Sequence, residues 1–338
     1  MSNGSSYLSN LLVVLVINNS IKEKLDIIQN NYDTHRSIEK NKYNFEIYIL
    51  DYYSKDNALA EKYSGVGTAR KIGMDFSLKY ANKDSLLFSL DADTLVSKNY
   101  LKIISNKYHE NLFNVCIVNF KHQKSKNSKI NSGIKIYENA LNHMAKKIKN
   151  CNSPYGYVSM GSTIICRVDA YIAVGGMPKK KAGEDFYFMQ SLAKHTDIFY
   201  IDDILVFPSS RSEKRVYLGT GSRMIEYENT NRFKNLFFKN SSYIIIKKII
   251  FLAEKNYNKP YTLFNKELTA NFNNKVCNFL DKHNLNDTWE KITLNSKSKA
   301  EMFERISGRS PVTECYLRLT QLMFRHFLFT LSSNRLVC

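Results

Sequence analysis

Two aspartates one residue apart, Asp91 and Asp93, close the stretch SLLFSLDADT at Ser85–Thr94. The run before them is apolar or small, which suits a strand buried on both faces. Side chains at i and i+2 of an extended segment point the same way, so both carboxylates can reach one ion. Hard oxygen donors in so small a number suit Mg²⁺ or Mn²⁺, whose remaining positions go to water and substrate phosphates. In an open α/β sheet, ligands bind beyond the carboxyl ends of the strands, which puts this pair at the mouth of a crevice. A second pair, Glu184 and Asp185, opens a helical pattern just after Gly175, Gly176 and Pro178, which force a turn. Another acid, Asp51, ends the apolar run Phe45–Leu50. Each has a plainer reading as well. Asp-x-Asp and Asp51 can serve surface turns by accepting backbone N–H groups, and Glu184 with Asp185 complements a helix dipole.

The elements that must hold these residues follow from periodicity. Leu11–Ile17, LLVVLVI, reads as a buried strand, the segment from Ile21 to about Arg36 as a helix, and Phe45–Leu50 as a second strand. That spacing is the crossover unit of a parallel sheet. Between Gly67 and Ala81, Ile72, Phe76 and Tyr80 recur at helical intervals and lead into the aspartate strand. Val115–Phe120 is a further strand, His122–Gly133 a polar basic loop and Ile134–Lys149 a helix. Glu184–Lys194 is helical, and short strands at Ile198–Ile201 and Leu205–Phe207 lead into a basic loop carrying Arg211, Arg215 and Arg223. Helical runs at Tyr243–Lys255, Phe264–His283 and Pro311–Leu331 give the remainder a different character. The expected organisation is an α/β domain over 1–228 and a helical C-terminal region over 229–338.

Charge and cysteine usage bound the partners. Lys and Arg outnumber Asp and Glu by 49 to 31, a net charge of +18, which favours anionic partners or a solvated basic surface. The six cysteines form no C-x-x-C pair and no metal-ligand spacing, which points to a reducing, cytoplasmic compartment. Leu11–Ile17 is too short to span a bilayer and lacks the flanks of a signal peptide, and Lys247 and Lys248 interrupt the apolar run Tyr243–Leu252. Basic and aromatic residues interleave around that run, as suits either a helix packed on a core or peripheral contact with an anionic membrane.

Taken in order, these motifs resemble the family 2 glycosyltransferases of GT-A fold, over roughly Leu11–Arg223. FEIYILDYYSKD resembles the family's second strand with its base-binding aspartate, here Asp51. SGVGTARKIGMDFSLKYA resembles the helix that carries an arginine, here Arg70, near the donor nucleotide. LDADT resembles the metal motif, with Asp93 on the ion and Asp91 on the sugar or ribose as well as the ion. GGMPKKKAGEDFYFMQSL resembles the acceptor-side turn, Gly175 and Gly176, followed by the pair Glu184 and Asp185, of which the aspartate is the general base. The resemblance implies a mostly parallel central sheet with flanking helices, Mn²⁺ or Mg²⁺ as cofactor, and inverting transfer. The sugar would pass from a nucleotide-diphosphate donor, a UDP-sugar foremost, to a hydroxyl of a glycan or lipid-linked acceptor. Apart from the resemblance, Arg211 and Arg215 of the basic loop suit either a lid over the diphosphate or a solvated surface.

The sequence departs from that family in its first strand, which ends VINNS without the family's proline, and it has no Q-x-x-R-W motif. Two other functions compete. A sugar-phosphate nucleotidyltransferase also uses aspartate-held metal, but it calls for a glycine-rich phosphate loop after the first strand, and VINNSIKEK has none. A nucleic-acid-binding protein would use the +18 charge, but no recognisable module is present and the carboxylates would go unexplained.

Overall fold

The computed structural model describes residues 10–213, 219–233, 236–257 and 259–294; Arg215 and the helix expected at 311–331 lie outside them. The chain divides into two compact units. The first draws on Met1–Ile134, Ser159–Leu192 and Ile198–Asn231, the second on Lys135–Val158, Ala193–Asp197 and Arg232–Cys338. In chain order the elements are β1 (Leu12–Asn18), α1 (Leu25–Lys40), β2 (Glu46–Tyr52), α2 (Val66–Ser77), β3 (Leu86–Phe88), β4 (Leu95–Val96) and α3 (Tyr100–Asn111). There follow β5 (Val115–Phe120), α4 (Ser128–Lys149), β6 (Ile164–Arg167), α5 (Val168–Ala173), α6 (Glu184–His195) and β7 (Ile198–Phe207). The last are α7 (Thr220–Thr230), α8 (Asn240–Lys255), α9 (Tyr261–Asn271), α10 (Asn274–Lys282) and α11 (Leu285–Leu294).

The strands form two sheets where a single, mostly parallel one was expected. β1 pairs with β2 in parallel, from Leu12 opposite Glu46 to Asn18 opposite Tyr52, as the strand–helix–strand spacing predicts. The other five run in the order β3-β6-β5-β7-β4. There β5 and β7 are parallel, while β6 lies antiparallel to both β3 and β5, and β4 antiparallel to β7. Apolar content alone cannot tell these directions apart, because a central antiparallel strand covered on both faces is as uniformly apolar as a parallel one. β5 shows this, with Val115, Cys116, Ile117 and Val118 all buried.

Two further expectations change. The loop expected over His122–Gly133 is helical from Ser128, because Asn127 caps the helix, its side chain accepting the Lys129 backbone N–H at 2.9 Å. The strands expected at Ile198–Ile201 and Leu205–Phe207 are one strand. Val118 faces Ile201 and Asn119 faces Ile204, so Asp202 and Asp203 are accommodated in a bulge that the apolar pattern reads as a break.

In the second unit the run expected as one helix over Phe264–His283 is α9 and α10. The break comes at Asn273, whose side chain accepts the Val276 N–H at 3.2 Å. The core here joins Ile246, Ile249, Ile250, Phe264, Leu268, Leu280 and Trp289. Trp289 stacks on Phe264 with ring centroids 4.0 Å apart and donates its indole N–H to the Lys259 carbonyl at 2.8 Å.

One contact in the first unit fixes α2 against the start of α6. A Cβ on Gly67 would stand 2.8 Å from both the Glu184 Cβ and the Pro178 carbonyl oxygen, inside van der Waals contact. Gly67→Ala must therefore push the 178–184 segment off α2. It is expected to lower unfolding free energy by about 1–3 kcal/mol, read as a reduced urea midpoint. An unchanged midpoint would mean that the segment is not seated on this helix.

Candidate functional site

β3 ends at Phe88, and the chain turns at Asp91, whose carbonyl accepts the Thr94 N–H at 3.0 Å. Arg70 projects from the second turn of α2 and donates from one terminal nitrogen to Asp91 Oδ1 and from the other to Glu184 Oε1. Three segments far apart in sequence thus meet on one guanidinium. Its side chain is 9% exposed and that of Glu184 4%, whereas that of Asp91 is 39% exposed, so the cluster is buried at its base and open at Asp91. Arg70 Nε has no partner among the described residues. Asp185 is half-buried beside Glu184, its Oδ1 accepting the Phe186 N–H at 2.7 Å.

Asp91 is held from a second side. Ser162 donates to Asp91 Oδ2 at 2.8 Å while its Oγ accepts the Asp91 backbone N–H at 3.1 Å, and Thr94 Oγ1 lies 3.2 Å from the same Oγ. Gln123 Nε2 donates to the Asp93 carbonyl at 2.7 Å and to the Phe207 carbonyl at 2.8 Å, tying the turn to β7. The Asp93 side chain turns to a different arginine, Arg211, which forms an ion pair with Oδ2 and also approaches Glu213 at 3.6 Å. Both members of the Asp93–Arg211 pair are about one-third exposed.

Of the residues singled out by type and spacing, the structure brings together Arg70, Asp91, Glu184 and Asp185, with Asp93 in the same turn and Arg211 paired to it. Ser162 and Gln123 are not among those residues. Ser162 is 71 residues from Asp91 in an irregular segment, and Gln123 stands in a run read as loop, so nothing local marks either of them. Asp51 hydrogen-bonds within its own turn. Its Oδ1 accepts the Tyr53 and Ser54 N–H groups at 3.0 and 2.9 Å, and its Oδ2 accepts from Asn57 at 3.2 Å, which is the Asx-turn arrangement. Gly175 and Gly176 have φ of +79° and +77°, the left-handed conformation that a side chain resists. A Cβ on Gly176 would meet the Tyr171 ring at 2.9 Å and Lys71 Nζ at 3.0 Å, so the turn abuts the residue next to Arg70.

Burial and crowding shape the charges. Arg70 keeps its charge, since burial alone would weaken it but Asp91, Glu184 and Asp185 more than offset that. Burial pushes the Glu184 carboxyl up to about 7; Arg70 pulls the other way, and Asp185 and Asp91 add to the rise. Asp185 is raised too, again chiefly by burial against the pull of Arg70. Glu184 and Asp185, adjacent and desolvated beside one buried guanidinium, cannot both ionise freely. Asp51 differs: burial would raise it, but the hydrogen bonds from Ser54, Tyr53 and Asn57 hold it at about 2.

Among the described residues no group of three or more His, Cys, Asp or Glu side chains is arranged to hold a metal ion. Asp91 and Asp93 nevertheless fit Mg²⁺ or Mn²⁺. Both carboxylates are solvent-accessible, both already attract a cationic side chain, and one or two carboxylates suffice when substrate phosphates complete the shell.

No family model and no curated protein matches the chain. Among solved structures it is similar to S. aureus TarS 1–349, at 16% identity and a TM-score of 0.36 over 74% of each chain. It aligns with the same protein in complex with UDP-GlcNAc at 14% identity and a TM-score of 0.38, over 94% of this chain and 92% of that one. With the UDP complex the identity is 14% and the TM-score 0.36, over 94% and 91%.

The raised Glu184 carboxyl makes a pH prediction. The folded protein holds this proton up to about pH 7, whereas the unfolded chain releases it near the ordinary value of 4.5. The folded state therefore binds more protons across that window, and stability falls as pH rises from about 4.5 to 7, by as much as about 3 kcal/mol. Asp185 acts in the same direction, and Asp51 contributes only below its ordinary 3.8. Thermal unfolding between pH 4.5 and 8 should show a falling Tm, with a shallower slope in Glu184→Gln; identical slopes would assign the effect to other groups.

Proposed function

We propose that the first unit is a glycosyltransferase of GT-A type, related to family 2, that transfers a sugar from a nucleotide diphosphate to an acceptor hydroxyl with inversion. The observation that carries this reading is the gathering of Asp91, Glu184 and Asp185 around Arg70, with Asp93 in the same turn. A phosphate-leaving reaction with hydroxyl attack requires two kinds of acid. One kind must be exposed, to draw a cation to the diphosphate, the other half-buried with an elevated pKa, to take a proton. Asp91 and Asp93 supply the first kind and Asp185 the second.

In this reading Asp93, with Asp91, would hold Mn²⁺ or Mg²⁺, which when bound neutralises the charge of the departing diphosphate. Arg70 and Ser162 fix Asp91 from two sides, so its carboxylate is oriented before any ligand arrives. As the acceptor oxygen bonds to the anomeric carbon, the bond from that carbon to the diphosphate oxygen breaks, and the acceptor's proton passes to Asp185. Its raised pKa brings it nearer the range in which a carboxylate is an effective base. Attack from the face opposite the leaving group inverts the anomeric centre. Asp51 retains acceptor capacity on Oδ2 for a nucleobase N–H. The glycine turn at Gly175 and Gly176 lies on the acceptor side, and Arg211 offers a guanidinium to diphosphate oxygens. The acceptor is a hydroxyl of a glycan or of a lipid-linked molecule.

The test is thermal stabilisation by UDP, GDP, dTDP and CMP, each with Mn²⁺ and again with chelator, since a ligand that binds only the folded state raises its stability. One diphosphate should raise Tm with Mn²⁺ and lose its effect with chelator and in Asp93→Ala. With the donor sugar of that nucleotide and an accepted glycan, Asp185→Asn should keep this stabilisation and lower kcat by about 10²–10⁴-fold. No stabilisation by any nucleotide would refute the donor site. Undiminished turnover in Asp185→Asn would remove the assigned base.

A further inference from the structure

Helix α8 presents two unlike faces. Tyr243, Ile246, Ile249, Ile250, Leu252 and Ala253 are buried in the core of the second unit. On the opposite side Ile244 is 67% exposed and Phe251 59%. Seven residues apart, these two lie two turns along one line of the helix. Lys247 and Lys248 are exposed between them, and Lys255 is exposed one turn beyond Phe251. At 100° per residue all five side chains fall in a single arc of roughly 100°, with the apolar pair inside and Lys247 and Lys248 at its edges. Glu254 borders the arc, and Lys255 is already paired with Glu267 at 3.1 Å.

Large apolar side chains framed by lysines are the pattern of a helix lying in a membrane interface, where the rings and branches enter the acyl boundary and the ammonium groups reach headgroup phosphates. Sixteen residues give a helix about 24 Å long, and no helix among the described residues is long and apolar enough to cross a membrane. The face therefore suits lying flat. Nucleic acid would satisfy the lysines but leaves Ile244 and Phe251 without apolar partners. A second copy docking face to face would set lysines against lysines in a chain already carrying +18. We infer that α8 docks on an anionic lipid surface, with Ile244 and Phe251 inserted and Lys247 and Lys248 on the headgroup phosphates. This inference is independent of the transfer reaction.

Sedimentation of the full chain with vesicles of equal parts phosphatidylglycerol and phosphatidylcholine tests it. The protein should bind at low salt, release as salt rises, and ignore pure phosphatidylcholine. Ile244→Ser with Phe251→Ser should weaken partition roughly tenfold or more. Lys247→Ala with Lys248→Ala should weaken it roughly 25-fold, about fivefold for each lysine. Lys248 also stands over the Phe272 ring at 5.7 Å, so circular dichroism melts must show both variants folded. Failure of the native protein to bind anionic vesicles overturns the inference, as does binding that both variants retain. So does binding to a single-stranded oligonucleotide that needs the lysines, tolerates the serine pair and occurs without vesicle binding, which would assign the face to nucleic acid.

Discussion

A guanidinium taken out of water is tolerated only when its charge and its donors are met, and Arg70 is met by carboxylates from two distant segments. That requirement reaches well beyond the site. α2 must bring Arg70 inward, the turn after β3 must deliver Asp91, and the first turn of α6 must deliver Glu184. Gly67 allows the 178–184 segment to lie on α2, and at Gly161 a single Cβ would collide with the Arg70 guanidinium itself. A residue of high charge has thus turned two positions with no chemistry of their own into close-approach positions. Truncating either partner would leave one end of the buried guanidinium without its acceptor, which is costlier than the pair is stabilising.

The same geometry sorts the acids by environment. Glu184 and Asp185 share the base of the site, where burial and mutual crowding favour their protonated forms in spite of Arg70. Asp91 and Asp93 face water on the turn. Nothing in the residue types distinguishes these two classes. Where each backbone leaves its carboxylate does, since a helix start packed beneath α2 is desolvated and a turn at the end of a strand is not.

Much of this organisation is legible in the sequence, and the illegible parts share a cause. β1 and β2 are found within a residue or two because their apolar runs are long and bounded by polar segments. β5 is found at its full extent for the same reason. Strand direction is not legible, because β6 pairs antiparallel with β3 and β5 through contacts between distant segments, Leu86 lying opposite Arg167 and Val115 opposite Cys166. Helix α4 hides its start because an Asn cap followed by Lys, Asn and Gly looks like loop composition. Gly133, taken as the end of that loop, lies inside the helix where a Cβ would meet the Tyr227 ring at 2.8 Å. At the site the acids announce themselves by type and spacing. Ser162 and Gln123 do not, since a serine and a glutamine gain their roles only when the fold brings them to Asp91 and to the Asp93 carbonyl.

The two aspartates of the motif are consequently unequal in what holds them. Asp91 is anchored through a buried arginine and a buried serine, both themselves fixed by packing, so its position belongs to the fold. Asp93 is anchored at its carbonyl by Gln123, but its carboxylate is engaged by Arg211, in a pair about one-third exposed on both sides. Ion pairs at that exposure contribute less than about 1 kcal/mol. Exchanging the guanidinium for a divalent cation therefore disturbs little at Asp93, whereas drawing Asp91 away from Arg70 would uncover a buried charge. In the proposed reading a cation at this turn would be held chiefly by Asp93, whose carboxylate can change partners, and bounded by Asp91, whose carboxylate cannot, so the turn would be ordered before its ligand arrives and still admit it.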